Sequence, residues 1–535
     1  MIQPASRRRL PAALLGVLLA LSLALAACGD DDDGGTAADD ADGTSTTEEA
    51  GGAEAPSGEI DPDGTLRLMY TVAPTSYDPH RGSSSTDNTS LNLVFDRLVH
   101  TTPDGDPIPG LATEWTIETD PDVITMTLRE GVTFHDGTPF DAEAAKANLD
   151  RARAEDSNIA GDLSAIDEVE VVSPTEIRLL LNGPGSALPL ILSDRGGMMM
   201  SPDSFENPDA DRAPIGSGMY TVESYEVGVE TSFARYEDYW DPEAAAAANV
   251  ELTYQADDTT RLNALLDGQA DWAIVASSDL ERIDEAGLYY TSEPDLALYH
   301  MQINIARSEF GDPLVRQALN YAIDREGIAA AIFDGLATPT EQPFPESYFA
   351  YNPDVAGSYP YDPDRAMELL AEAGLEDGFS FELLTAQLDT FVQVSEALQA
   401  QLAQVGIEVE IQVVPVNEVV QTAYLDKVGD AVMITFQGRP DPSQTLGRLY
   451  SEGGATSASG ESTPAFMEAY ERMLSATDED TRTEAIHDSV AAVVEDALDV
   501  VLLHANANYA MQSNVVGFEP YITAKPEFRG VGIAG

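Results

Sequence analysis

Two periodicities alternate along most of the chain and predict a mixed α/β protein. Thr65 to Val72 (TLRLMYTV) switches between apolar and polar side chains with the period of a half-buried strand. Ala366 to Ala373 (AMELLAEA) and Ser395 to Gln404 (SEALQAQLAQ) place apolar residues at helical spacing and stop near Gly374 and Gly406. The second of these runs through Gly406 into Ile407 to Val414 (IEVEIQVV), so a helix feeds a strand across a short glycine turn. Strands are also predicted at Ile124 to Leu128 and Ala431 to Phe436, and no repeat of solenoid or propeller length is evident.

The first 63 residues lack this patterning. Arg7 to Arg9 precede an apolar run from Leu14 to Leu25, followed by small residues and Cys28, the order of a secretory signal. The run is shorter than a bilayer span of about 20 residues. Residues 29–63 hold 13 Asp and Glu and no Lys or Arg, too little apolar surface to offset the entropy of ordering, which predicts an extended acidic tether. Asp30 to Asp33 lack the spaced ligands of a calcium loop and read as part of that tether.

Composition narrows the function. With 535 residues, 43% hydrophobic and 23% charged, most of the chain folds, in several units. The 94 acidic and 27 basic residues give a formal charge of −67, which excludes a nucleic-acid binder for want of a basic footprint. Only Lys146, Lys427 and Lys525 are lysines, a bias that a GC-rich genome and a high-salt habitat would each produce. A single cysteine excludes an intrachain disulfide.

Motifs for catalysis are missing. The six histidines are scattered, with no HExxH, and there is neither a GxSxG elbow nor a P-loop. Gly530 to Gly535 spells GxGxxG but has no helix after it to receive a pyrophosphate, and reads as a flexible tail. His135 and Asp136, within GVTFHDGTPF, sit between a strand and Gly137 and read as a tight turn. No catalytic residue, metal site or cofactor is expected.

That turn segment resembles a signature of the family 5 extracellular solute-binding proteins of ABC importers, a class that includes oligopeptide, dipeptide and nickel binders. Upstream are SYDP (Ser76 to Pro79), NLVFDRLV (Asn92 to Val99) and DGDPIPGLATEW (Asp104 to Trp115); downstream are PIGSGMY (Pro214 to Tyr220), YEDYW (Tyr236 to Trp240) and RLNALLDGQADWAI (Arg261 to Ile274). The strongest block is FGDPLVRQALNYAIDREGI (Phe310 to Ile328), followed by YDPDRAMELLAEAG (Tyr361 to Gly374) and ALQAQLAQVGIEVEI (Ala397 to Ile411). Within the strongest block Asp312-Pro313 is a helix start and Val315, Ala318, Leu319 and Ala322 an apolar stripe, with Arg316 and Arg325 expected to form ion pairs in the helix. At the N-terminus, Leu25-Ala26-Ala27-Cys28 resembles the lipobox of bacterial lipoproteins, which implies a lipidated Cys28 as the first mature residue, anchored by its acyl chains to the outer face of the cell membrane. Export by the general or the twin-arginine route is left open.

The resemblance implies a two-lobed α/β fold of the type II periplasmic-binding kind with an extra subdomain inserted in lobe I. The expected limits are a signal peptide at 1–27, the tether at 28–63, lobe I at 64–95, 206–305 and 500–535, the insert at 96–205, and lobe II at 306–499. It implies a substrate-binding lipoprotein that captures a peptide or another small organic solute by lobe closure and passes it to ABC permease subunits. A surface sensor of the same fold and a secreted hydrolase are the alternative readings. Expected ligand contacts are Tyr77, His300, Asn304, Phe436, Arg439 and Asp441. The family's peptide binders often carry an aspartate where Gly438 stands here, beside Arg439. An arginine there would favour a carboxylate or phosphate on the ligand; the alternative is that Arg439 pairs with a nearby acidic side chain.

Overall fold

The computed structural model describes residues 55–82, 84–307 and 309–535. The signal segment, Cys28 and Asp30 to Asp33 lie outside the described residues. Among those described, no helix is long and apolar enough to cross a membrane.

One sheet of eleven strands runs through the body. Its centre is an antiparallel pair, Tyr289–Ile303 and Val500–Met511, the two strands that the chain uses to cross the molecule. On one side follow Ala431–Gln437, Phe379–Ala386 and Ile407–Val414; on the other follow Trp272–Ile274, Thr65–Tyr70, Asn249–Tyr254, Glu230–Arg235 and Tyr220–Glu226, while Ala337–Pro339 pairs with the second crossing strand. Each half has its own core, one around Leu66, Phe233 and Trp272, the other around Leu319, Leu383 and Leu398. A separate antiparallel sheet of Ala112–Thr119, Asp122–Leu128, Glu176–Leu181 and Ile166–Ser173 packs on the helix Ala142–Ala152 around a third core that includes Ile124, Leu149 and Leu179. Each such fully buried Leu or Ile contributes about 1.5–3 kcal/mol.

Local sequence explains the elements it predicted. Phe379–Ala386 and Ile407–Val414 pair in parallel and are joined by the helix Asp389–Ala403, a βαβ unit. At the base of that unit a Cβ on Gly378 would lie 1.9 Å from the carbonyl oxygen of Gly406, so only glycine lets the two turns meet. Asp312 caps the helix Pro313–Tyr321 through the Leu314 N–H, with proline in the first turn. His135 and Asp136 form a turn: Gly137 has φ +81°, and Asp136 accepts from the Thr138 N–H at 2.9 Å.

Several expectations require correction. The GxGxxG tail is not flexible: Gly532–Ile533 pairs with Val515–Val516, and Ala534 bridges to Ile60. That bridge, with the Asp61 N–H donating to the Ile533 carbonyl at 2.8 Å, also ties the last residues of the expected tether to the body. Among the described residues Arg316 and Arg325 form no ion pair. Arg316 donates to the carbonyls of Phe310, Gly311, Asp496 and Ala497, and Arg325 to those of Val501 and Asn320, so each guanidinium ties together backbone segments that are distant in sequence. The first strand ends at Tyr70, two residues before the predicted limit.

Candidate functional site

A loop that leaves the strand Ala431–Gln437 carries the central side chain of the site. Gly438 lies directly on the first crossing strand: its N–H donates to the Leu296 carbonyl at 2.8 Å, and a Cβ there would stand 2.6 Å from Leu296 Cβ. The Arg439 N–H donates to Thr445 Oγ1 at 3.0 Å, and the Pro440 carbonyl accepts from the Tyr348 hydroxyl at 2.8 Å. Asp441 then caps the helix Pro442–Tyr450, accepting from the N–H and hydroxyl of Ser443, while Arg482 Nη2 reaches both its oxygens at 2.7 and 2.8 Å. The backbone of Arg439 is thus held on both sides, while its side chain has no hydrogen bond or ion pair among the described residues.

That side chain lines a cavity of about 340 Å³, a size suited to a small solute. Gln444 and Arg448, one helical turn apart on the capped helix, line the same wall. Asn88, Asn158, Ile159, Asp162, Asp194, Arg195 and Lys525 also line the cavity. Arg448 Nη2 stands 3.7 Å from Asp162, so segment 96–205 touches segment 306–499 at the cavity, and a second contact away from it has Ser186 Oγ within 3.1 and 3.0 Å of the Met473 and Leu474 carbonyls.

Four cations meet here on a chain that has few. Their commitments differ. Lys525 pairs with Asp194 at 2.6 Å. Burial disfavours the charge on Asp194, but the Lys525 ammonium and the Asn88 amide outweigh it and hold the carboxyl well below the usual carboxylate range. Arg195 donates to the carbonyls of Pro79, Gly82 and Ser84, and burial lowers its pKa. Arg439 has no ion pair among the described residues. A guanidinium with unspent donors in a cavity accepts a carboxylate or phosphate in bidentate fashion. Asn88 lines the same cavity, its amide donating to Asp194 and its Oδ1 buried without a partner among the described residues.

Of the ligand contacts expected from sequence, Arg439 alone lines this cavity. Tyr77 is fully buried, its hydroxyl 2.9 Å from Thr231 Oγ1 and its ring edge-on to Tyr225. His300 is fully buried against Asp499, Nδ1 to Oδ2 2.6 Å, and Tyr450 donates to the same oxygen at 2.9 Å. Asn304 closes the turn after the first crossing strand, its Oδ1 accepting from the Ala306 N–H at 3.2 Å. Phe436 packs against the core around Phe344 and Phe466. Asp441 is spent on Ser443 and Arg482. Gln444 and Arg448 were missed, although their spacing after the Gly438–Pro442 segment places them on the face that Arg439 occupies; Asn88, Arg195 and Lys525 carry no local signal at all. A larger cavity of about 570 Å³, between Trp115, Leu190 and Phe349, contains only Arg482 as a cation, and that cation is paired with Asp441.

Comparison with known proteins agrees with this architecture. The family model described as bacterial extracellular solute-binding proteins, family 5 middle, matches residues 106–457. The glutathione-binding protein GsiB of Salmonella paratyphi A is 32% identical over 347 residues, which is 63% of this chain and 67% of that protein. HbpA2 of Haemophilus parasuis superposes with a TM-score of 0.80 at 21% identity, covering 88% of this chain and all of that one. The periplasmic binding protein DppA of Helicobacter pylori, solved with the peptide STSA, gives 0.70 at 22% identity and covers 88% and 98%. At such identities the likeness shows the fold: an α/β periplasmic-binding architecture of type II.

Proposed function

The chain belongs to the bacterial extracellular solute-binding proteins of family 5, and from that membership we propose that it captures a small organic anion and delivers it to an ABC permease. The solute presents a carboxylate, which Arg439 receives with Arg448 behind it; Asn88 and Gln444 orient the rest by hydrogen bonds. Closure of the lobes removes water around the pair, which strengthens it, and the closed form is the one that the permease engages. No bond of the solute is made or broken. Cys28 is lipidated and holds the protein at the outer face of the membrane, with the acidic tether as spacer.

The observation that carries this reading is the guanidinium of Arg439, unpaired among the described residues, in the 340 Å³ cavity, on a chain where acids outnumber bases by more than three to one. The relatives named for glutathione, a tripeptide with two carboxylates, agree with it. The test is a thermal-shift screen of the protein with glutathione, short peptides, small carboxylates and uncharged sugars, since a ligand that binds only the folded state raises Tm. A rise confined to carboxylate-bearing solutes is expected. A rise confined to the uncharged sugars would overturn the reading.

A further inference from the structure

The loop that bears Arg439 rests on an irregular stretch of the first crossing strand. Between Pro294 and Leu298 that strand shifts register against Val500–Met511, and the bulge is held by two bonds: the Leu296 N–H donates to the Ile522 carbonyl at 3.0 Å, and its carbonyl accepts from Gly438 at 2.8 Å. Asp295 sits in the bulge, buried, its Oδ1 accepting from the Ala297 N–H. Beside it is a cavity of about 30 Å³ lined also by Glu293 and Asp104, room for about one water. Among the described residues no basic side chain pairs with any of these three carboxylates.

We infer that Asp295 is a proton-sensitive positioning residue for the solute site: neutral, it lets the bulge hold the Gly438–Arg439 loop, and charged, it drives the bulge toward water. The inference rests on the reading of Arg439 as the solute's partner. Burial raises the Asp295 pKa to about 7, and burial with the nearby Asp104 raises that of Glu293. From the second crossing strand His504 packs against the backbone of Asp295, but burial lowers its pKa to about 4, so it supplies no compensating charge near neutrality. Burial pushes the phenols of Tyr299, Tyr509 and Tyr521 upward, which keeps them neutral, and Arg97 beyond them is spent on Glu527 at 2.7 Å.

The direction of the effect follows. With the bulge open to water, Asp295 returns to an ordinary value of about 4, so the held form binds its proton more tightly. Holding is therefore fully present at low pH, is lost progressively as pH rises from about 4 to about 7, and levels off above that. Between pH 5 and pH 8 the loss is ~100-fold.

The test reads hydrogen exchange of the Leu296 and Gly438 amides from pH 5 to pH 8, as protection factors corrected for intrinsic exchange, in the wild-type protein and in Asp295→Asn. Protection should fall ~100-fold with pH in the wild type, and Asp295→Asn, which keeps the bond to Ala297, should remove most of that slope. In parallel the Kd for glutathione, used as probe, should weaken with pH in the wild type more than in the variant. A flat wild-type profile, or one that Asp295→Asn leaves unchanged, overturns the inference; the wild-type profile decides alone if the variant does not fold. Because exchange needs no solute, a failure to bind glutathione would count against the proposed function and leave this inference standing.

Discussion

Replacing Arg482 with methionine separates what holds the site from what the site binds. The substitution removes the guanidinium whose Nη2 lies 2.7 and 2.8 Å from the two oxygens of Asp441. The Asp441 side chain is 0% exposed and that of Arg482 12%, so solvent cannot replace the lost partner. Removing one member of a buried ion pair costs about 3–5 kcal/mol. The lower end, about 3 kcal/mol, applies here, because the N–H and hydroxyl of Ser443 still reach Asp441 at 2.9 and 2.5 Å. The double variant Asp441→Asn/Arg482→Met leaves no buried charge and should recover about 1–2 kcal/mol of that loss. Urea unfolding followed by tryptophan fluorescence of Arg482→Met, Asp441→Asn and the double variant measures all three changes. Solute affinity of the folded Arg482→Met protein should stay within a few-fold of wild type, since Asp441 and Arg482 do not line the 340 Å³ cavity. A loss of stability below about 1 kcal/mol, or a double variant as unstable as the sum of the singles, would refute the assignment of Asp441 to the fold and return it to the ligand.

Other substitutions and conditions have defined outcomes. Gly438→Ala puts a methyl group 2.6 Å from Leu296 Cβ and 2.9 Å from its carbonyl oxygen; thermal denaturation should show a loss of about 1–3 kcal/mol, with weaker solute binding as Arg439 shifts. His80 and His504 are fully buried, and burial lowers their pKa values to about 3 and about 4. Both are neutral when folded and protonate below about 6.5 when unfolded, so their stability is present above that pH and lost as pH falls: about 2 kcal/mol each at pH 5. His135, whose pKa burial also lowers to about 4, adds a further loss of about 2 kcal/mol, while Asp295 acts in the opposite direction and returns about 2 kcal/mol, so urea midpoints should show a net loss of about 4 kcal/mol from pH 7 to pH 5; a rise would contradict it. Cys28→Ser should release the protein from the membrane fraction into the soluble fraction on cell fractionation, whereas an unchanged distribution would count against the lipid anchor.

Legibility from sequence followed the range of the interactions. The strand Ile407–Val414 was readable to its limits because alternation and the preceding Gly406 are local signals. Helix starts at Asp312-Pro313 and stops at Gly374 were readable for the same reason. The loop that carries Arg439 to the cavity wall was readable through the motif that contains it. The pairings that decide the roles of the other candidates span the chain: Asp441 with Arg482, His300 with Asp499, Asp194 with Lys525. No window of sequence reports which aspartate a given cation will meet. The same holds for Arg316 and Arg325, whose acceptors are backbone carbonyls and carry no side-chain signature. The strand formed by Gly532–Ile533 depends on Val515–Val516 and on Ile60, residues that periodicity in a two-residue segment cannot anticipate.

The central claim is that Arg439 receives a carboxylate of the solute. Titration calorimetry of the wild-type protein and Arg439→Ala, each with a solute identified by the screen and with the same solute amidated at its carboxylates, tests it most directly. The account predicts that Arg439→Ala weakens the free acid by about 10- to 100-fold, the worth of a charge-assisted bond, and changes binding of the amide by less than about threefold. Equal losses for acid and amide, or none for either, would contradict it.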